Sequence, residues 1–500
     1  MINAFSRRAF LTSLAAFSAS SSLAAPLGRS LRPVARPNLS GPEATALRSQ
    51  SLEALLKQSK LSGGFSLAVA DPSNGKILEG RNANALLPPA SVTKAVTALY
   101  ALAHLGANHR FRTRVIATAP IQNGVLNGDL ILAGGGDPTL DTDQLAQLAK
   151  ALKATGLREV RGRFLIYAGT LPYLPHIDDS QPDHVGYNPA ISGLSLNFNR
   201  VHFEWKRAQS GWGVTMDARS DRYRPAVTVA KMKVVRRQAP TYTYAQKGTQ
   251  DHWTVASAAL GKGGSRWLPV RRPDLYAAET FRTLARAHGI VLPKEKTVTR
   301  LPAGTTLASV QSAPLRDILR AMMKYSTNLT AEMVGLAASQ AAGGNPKSLK
   351  ASARMMTDWA DKHLAMDAAR FVDHSGLGDG SRVSAQDMVA ALSTPLAQRH
   401  LSPLMKQITL RDARGKPDKK HPLQVIAKTG TLNFTSALAG YVTTPAGQHM
   451  AFAIFSADNK RRSQLKKSER ERPEGGRSWN KRAKTLQQAL LERWGGLYGR

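Results

Sequence analysis

Two residues spaced for chemistry stand in "LLPPASVTKAVTALYAL", residues 86–102, where Ser91 and Lys94 lie three positions apart behind two prolines. The run that follows them reads as a helix. Positions i and i+3 share a helix face, so the Ser91 hydroxyl and the Lys94 amine can meet. A serine hydroxyl is a poor nucleophile until a base takes its proton, and a desolvated lysine can have its pKa lowered far enough to serve. The helix N-terminus adds amide N–H groups that help hold a developing anion. Two further stretches carry reactive types. "KYSTNLTAEM" places Ser326, Thr327 and Asn328 between two helical runs, and "VIAKTGTLNF" places Lys428, Thr429, Gly430 and Thr431 at the end of an apolar strand.

The elements that must position these groups can be read from the apolar spacing. "LEALLKQSKL" is helical, and "GFSLAVADPSNGKILEG" gives two strands around Asn74-Gly75, a strong hairpin signal. From about Phe111 to Pro302 the texture is strand-rich ("RVIATA", "LILAG", "RFLIYAG", "VHFEW"), broken by glycine, proline and polar turns. Two helical patches interrupt it, "DTDQLAQLAKALKATG" and "PDLYAAETFRTLARAHGI". From Ser312 helices dominate again, the last of them with Ser384 as N-cap. Two strands, "SALAGYVTT" and "HMAFAIFSA", follow, and a closing helix carries Trp479, Ala483, Leu486, Leu490 and Trp494 on one side. The simplest architecture is one discontinuous α/β domain, with an antiparallel sheet and helices, interrupted by a β-rich insertion. The expected divisions are an export signal over 1–24, the first part of the domain over 25–110, the insertion over 111–304 and the second part over 305–500.

Ser-x-x-Lys, Ser-x-Asn and Lys-Thr-Gly in that order resemble the signature set of penicillin-binding proteins and serine β-lactamases. Roughly 235 residues separate Ser91 from Ser326, enough to hold the whole strand-rich block. That layout is similar to the class C low-molecular-mass penicillin-binding proteins, the D-alanyl-D-alanine carboxypeptidase/endopeptidase family. In that family extra domains follow the nucleophile helix. "LNGDLILAGGGDPTL", "ISGLSLNFN", "PDLYAAETFR" and "DHSGLGDGSRVSA" look like the family too, so the resemblance covers nearly the whole mature chain. Thr327 departs from the aspartate the family often has there, at a position whose side chain is not catalytic.

The resemblance implies peptidoglycan stem peptides ending in D-Ala-D-Ala as substrates and β-lactams as covalent inhibitors. Ser91 would attack the carbonyl between the two D-alanines, with Lys94 taking its proton. Ser326 and Lys428 would relay a proton to the departing amine, the Lys428 charge acidifying the Ser326 hydroxyl. Asn328 would donate to the substrate amide and to Lys94. Thr429 and Thr431, on one face by strand alternation, would bind the terminal carboxylate with Lys428 nearby, and Gly430 would leave room for the serine helix. The backbone N–H groups of Ser91 and Thr431 would form the oxyanion hole.

Composition narrows the setting. "MINAFSRRAFLTSLAAFSASSSLAAPLG" has a basic start at Arg7 and Arg8 and too short an apolar stretch to span a membrane. It reads as a twin-arginine-like or general secretory signal, cut near Ala24, which predicts export to the periplasm. A linker with Pro33, Pro37 and Pro42 follows. The chain has no cysteine, which excludes disulfides and thiolate metal sites. Lys and Arg total 69 against 34 Asp and Glu, a net charge of +35, and that field attracts polyanions. No helix-turn-helix, zinc or RNP-like signature accompanies it, so anionic envelope polymers are the expected counterpart and nucleic acid is not. The basic run from Asn459 to Lys484 reads as a solvated loop leading into a helix.

No cofactor is called for, and the histidines show no metal-ligand spacing. "AGGGDPTL" lacks the ending of a phosphate loop. Asp373, His374 and Ser375 hold triad residue types at adjacent positions that point apart. Two alternatives stand beside the peptidase reading. A serine β-lactamase would need a deacylating carboxylate, which no loop identifies. A non-catalytic basic wall-binding protein would work through charge alone.

Overall fold

The structure, a computed structural model, describes residues 50–499; the expected export signal and linker lie outside the described residues. Five sheets form among the described residues. The largest is antiparallel and runs in the order Lys406–Ile408, Gln424–Leu432, Thr435–Thr443, His449–Ala457, Gly64–Ala70, Ile77–Arg81. The hairpin around Asn74-Gly75 therefore completes a sheet whose other strands come from the far end of the sequence. This is the discontinuous domain expected from the pattern of elements.

Both faces of the central strands of this sheet are buried, which is why they read as continuous apolar runs while obeying a two-residue period. Ala68, Ala70, Ala437, Ala439, Tyr441, Ala451, Ala453 and Phe455 face one layer of helices. Their neighbours Leu67, Val69, Leu438, Val442, Met450, Phe452 and Ile454 face the other way. On that second face lie the helices Leu52–Ser59, capped by Ser51, and Gly476–Tyr498, which contribute Leu55, Leu486, Leu490 and Trp494. Each such side chain, taken fully out of water, stabilises by roughly 1.5–3 kcal/mol before the entropy of ordering it is counted.

The alanine-rich face has little bulk, so the helix layer packs close to it. At its centre is Thr93–Leu105, buried without a break from Thr93 to Ala101. Against it pack Leu315–Tyr325 and Asn328–Ala341. Leu315, Ile318, Leu319, Met322 and Met323 make the buried stripe of the former, at the i, i+3, i+4, i+7, i+8 spacing of an amphipathic helix.

Between Leu105 and Leu315 the remaining sheets are built on a separate core that includes Leu132, Leu145, Leu148, Phe164, Tyr276 and Phe281. A mixed five-stranded sheet runs Glu295–Val298, Phe164–Tyr167, Leu130–Ala133, Arg112–Ala117, Thr305–Gln311. The helices Thr142–Ala154 and Pro273–Ala287 belong to this core. The strand-rich texture of the sequence is thus a second body of sheet and helix, inserted where the Thr93–Leu105 helix ends.

Candidate active site

Pro88 and Pro89 bring the chain into the site, and Ala90 follows with φ of +46°, a left-handed conformation that costs a non-glycine residue on the order of 1–2 kcal/mol. Ser91 then sits in a 3-10 turn, Ala90–Val92, and the α-helix proper begins at Thr93. Lys94 is fully buried one turn on, and its Nζ donates to Ser91 Oγ at 3.0 Å, Asn328 Oδ1 at 2.8 Å and the Ser375 carbonyl at 2.7 Å. All three ammonium protons are thereby used. The Lys94–Asn328 bond runs opposite to the direction expected from sequence, because an ammonium has nothing with which to accept. The Asn328 amide group instead donates to the Tyr187 carbonyl at 3.0 Å.

Ser326 ends the Leu315–Tyr325 helix in a left-handed conformation, φ +58°, its N–H donating to the Met322 carbonyl at 2.8 Å. That sharp turn directs the next helix away and leaves the hydroxyl in the cleft. Lys428 Nζ donates to Ser326 Oγ at 3.0 Å and to the Thr429 carbonyl at 2.7 Å. A cavity of about 360 Å³ joins the groups, lined by Ser91, Ser326, Asn328 and Thr431, with Tyr187 and Gly376. Thr429 lies on the exposed face of the same strand. Gly430 has no room for a side chain: a Cβ there would stand 2.8 Å from the Pro89 carbonyl oxygen and 3.0 Å from the Ala90 Cβ. The three distant stretches singled out in the sequence therefore meet at one cleft.

Burial dominates the electrostatics. It holds Lys94 well below an ordinary lysine, against the opposing pull of the Glu332 and Asp373 carboxylates. Burial, then the neighbouring Lys94 and Lys406, push Lys428 down to about 6. The positive charge expected of Lys428 is weakly held in that setting, and a substrate carboxylate placed beside it would strengthen it.

Sequence reasoning missed two groups of residues. Glu332 lies four positions after Asn328, one helical turn along the same face. It is fully buried and accepts the His374 N–H at 3.0 Å and the Ser375 N–H at 2.9 Å. Asp373 accepts the Gly376 N–H at 2.7 Å and the Gly378 N–H at 2.6 Å. Burial raises both carboxyls above the usual range. His374 turns to Ser352, 2.8 Å away, so Asp373, His374 and Ser375 form no triad. The i, i+4 spacing of Asn328 and Glu332 was the one available signal.

The second group corrects the reading of the basic run 459–484 as a solvated loop. It does lead into the closing helix, but Arg462 is buried, donating to Asp379 and to the Asn433 carbonyl at 2.7 Å. Arg470 donates to the same carboxylate at 2.8 Å and to Ser180 at 2.7 Å. Both arginines line the cleft. Two like charges can be drawn in here because Asp379, from a loop 83 residues earlier, sits between them.

Comparison with known proteins gives consistent results. A profile described as the D-Ala-D-Ala carboxypeptidase 3 (S13) family matches residues 48–473. A D-alanyl-D-alanine carboxypeptidase of Actinomadura sp. (strain R39) is 30% identical over 457 residues, covering 83% of this chain and 82% of that protein. The D-alanyl-D-alanine carboxypeptidase DacB of Haemophilus influenzae is 26% identical over 408 residues, 77% of this chain and 83% of that one. The crystal structure of penicillin binding protein 4 from Haemophilus influenzae superposes with a TM-score of 0.71 at 22% identity, over 90% of this chain and 99% of that chain. That likeness shows a shared fold. The profile match takes in strands from both parts of the discontinuous domain and the insertion between them, and on it the chain belongs to the D-Ala-D-Ala carboxypeptidase 3 (S13) family.

Proposed function

We propose that the protein is a serine-type D-Ala-D-Ala carboxypeptidase, exported to the periplasm, that hydrolyses peptidoglycan stem peptides through an acyl-Ser91 intermediate. The same acylation serves endopeptidase cleavage of peptide cross-links. The observation that carries the reading is the double pairing at one cleft, Lys94 with Ser91 and Lys428 with Ser326, each at 3.0 Å.

In this reading Lys94 removes the Ser91 proton as Oγ bonds to the carbonyl carbon of the penultimate D-alanine. The backbone N–H groups of Ser91 and Thr431 hold the oxyanion. The bond to the terminal D-alanine nitrogen breaks as Ser326, oriented by Lys428, passes a proton to it, and the proton Lys94 took from Ser91 replaces the one Ser326 gave up. Asn328 orients Lys94 and the substrate amide. Thr429 and Thr431 hydroxyls, beside Lys428, take the terminal carboxylate. Water then cleaves the ester, returning the Ser91 hydroxyl and releasing the shortened peptide.

β-Lactams, whose ring amide mimics the scissile bond, acylate Ser91 and leave slowly. Among the described residues lining the cavity the one carboxylate is Glu471, and Arg266 at 2.8 Å and His184 at 2.7 Å engage it. That engagement supports a persistent adduct over β-lactamase turnover. The excess of basic residues supports attraction to anionic envelope polymers as well.

Labelled penicillin followed by peptide mass spectrometry tests the assignment, with label expected on Ser91 and none on the Ser91→Ala protein. Label at another residue, or no label on folded protein, refutes it. A muropeptide digest read by mass should show loss of the terminal alanine. Cell-wall effects unchanged in Ser91→Ala would favour a binding protein instead.

A further inference from the structure

We propose that Glu332 is a positioning residue for acylation: its two carboxylate oxygens fix the backbone strap that orients Lys94. The inference rests on the reading of Ser91 and Lys94 given above.

The geometry is a chain of single contacts with no spare partner. One of the three acceptors that hold Lys94 Nζ is the Ser375 carbonyl, at 2.7 Å. The N–H of the same residue donates to Glu332 Oε1 at 2.9 Å, and the N–H of His374 donates to Oε2 at 3.0 Å. Consecutive backbone groups thus occupy both oxygens. Asn328 and Glu332 lie one turn apart on one helix, so that helix fixes Lys94 twice, directly through Asn328 and through the strap by Glu332.

The strap cannot settle elsewhere. Asp373 holds its other side through the Gly376 and Gly378 N–H groups. Gly376, at φ +73°, lies so close to the turn before Ser91 that a Cβ would stand 1.8 Å from the Ala90 carbonyl oxygen. A shift of the strap would therefore move both the base and the nucleophile.

A fully buried carboxylate is costly to keep charged, and what offsets that cost at Glu332 is the two strap N–H groups, the Ser375 side chain and the nearby Lys94. The charged groups that face Glu332 are Lys94 from the nucleophile helix and Asp373 from the strap. His374, in the same strap, is neutral, its imidazole pushed down to about 3 by burial and turned to Ser352. Lys428 bears on the cluster through its repulsion with Lys94. Both carboxylates favour the Lys94 ammonium, whereas burial favours the neutral amine. Because burial raises Glu332, its charge is present on the alkaline side of the profile, and removing it there tips the balance toward the amine, so the base becomes available at lower pH. The link between Glu332 and Lys94 runs through the N–H and the carbonyl of Ser375, which belong to successive peptide units, so it positions the amine without offering a path for a proton.

The test is the pH profile of Ser91 acylation by a chromogenic β-lactam, using the full chain, in wild type, Glu332→Gln and Glu332→Asp. A glutamine can accept only one of the two strap N–H bonds, so the plateau rate should fall about tenfold. The acid limb should move to lower pH. Aspartate keeps the charge but withdraws its oxygens by one methylene, so the rate should fall with the acid limb unmoved. A folded Glu332→Gln protein whose profile superimposes on wild type after scaling overturns the proposal, because a merely structural role lowers every rate alike.

If Glu332→Gln does not fold, carbon NMR of wild type labelled at the glutamate carboxyls replaces it. In a Glu471→Gln background, which removes the carboxylate lining the cavity, a glutamate resonance should still move when Ser91 is acylated, and no response overturns the proposal. A wild type that takes no label on Ser91 removes the peptidase reading and this inference together, whereas a labelled wild type with superimposable profiles removes the inference alone.

Discussion

Replacing Gly430 with alanine adds one methyl group at the place where the Lys-Thr-Gly strand crosses the nucleophile turn. The new Cβ would stand 2.8 Å from the Pro89 carbonyl oxygen, 3.0 Å from the Ala90 Cβ and 3.1 Å from the Ala437 Cβ. Ordinary contact begins at 3.4 Å, so the gap to Pro89 is short by about 0.6 Å. On its other side the strand is bonded to Thr435–Thr443, from Gln424 to Leu432, and cannot move alone. The displacement falls instead on Pro89 and Ala90, the two residues before Ser91. Overpacking of this kind costs roughly 1–3 kcal/mol of stability. A misplacement of about 1 Å costs about 100-fold in rate, so 0.6 Å should cost on the order of tenfold. Stopped-flow acylation by a chromogenic β-lactam, with a thermal melt on the same sample, measures both. Gly376→Ala is the harsher comparison, since it adds a left-handed backbone to a 1.8 Å clash, and it should lose most folded protein. A Gly430→Ala protein that melts like wild type and acylates within about twofold of it would refute the argument that this glycine serves close packing.

Two other outcomes follow from the buried groups. His374 sits well below its unfolded value, so between pH 6.5 and about 3 the unfolded chain takes up a proton that the folded one refuses. Its contribution to stability is therefore present above pH 6.5 and lost as pH falls, by about 1.4 kcal/mol per unit. His374→Gln should flatten the acid side of a melting-temperature profile, and an unchanged slope would argue against it. Asp379→Asn weakens the hold on both Arg462 and Arg470. Because the Asp379 side chain is 39% exposed, the loss should be about 1 kcal/mol, read as a small drop in melting temperature that added salt diminishes in the wild type.

How far the site was legible depends on whether its signals were local. Ser91 and Lys94 declare their pairing by i, i+3 spacing, and Asn328 and Lys428 declare themselves by short motifs beside a helix and a strand. Glu332 was just as regular, four residues past Asn328, but a carboxylate on a helix face ordinarily points to water. Only its burial beneath the 373–376 strap brings it to the backbone that holds Lys94. Arg462 and Arg470 were hidden by their own company, since a run of like charges reads as solvated until Asp379, far away in sequence, is known to lie between them.

By itself the amino-acid sequence determined the elements and the reactive types: the hairpin, the apolar periods of two and of 3.6, the three ordered motifs and the long interruption between the first and second. These follow from neighbours along the chain, whose spacing dictates which face each side chain takes. The tertiary structure alone decided which way the Lys94–Asn328 bond runs, how low Lys428 is driven, and that two carboxylates would share the interior with Lys94. Those properties depend on desolvation and on approach within a few ångströms of groups tens to hundreds of residues apart, which comes into being only when both faces of the central sheet are covered.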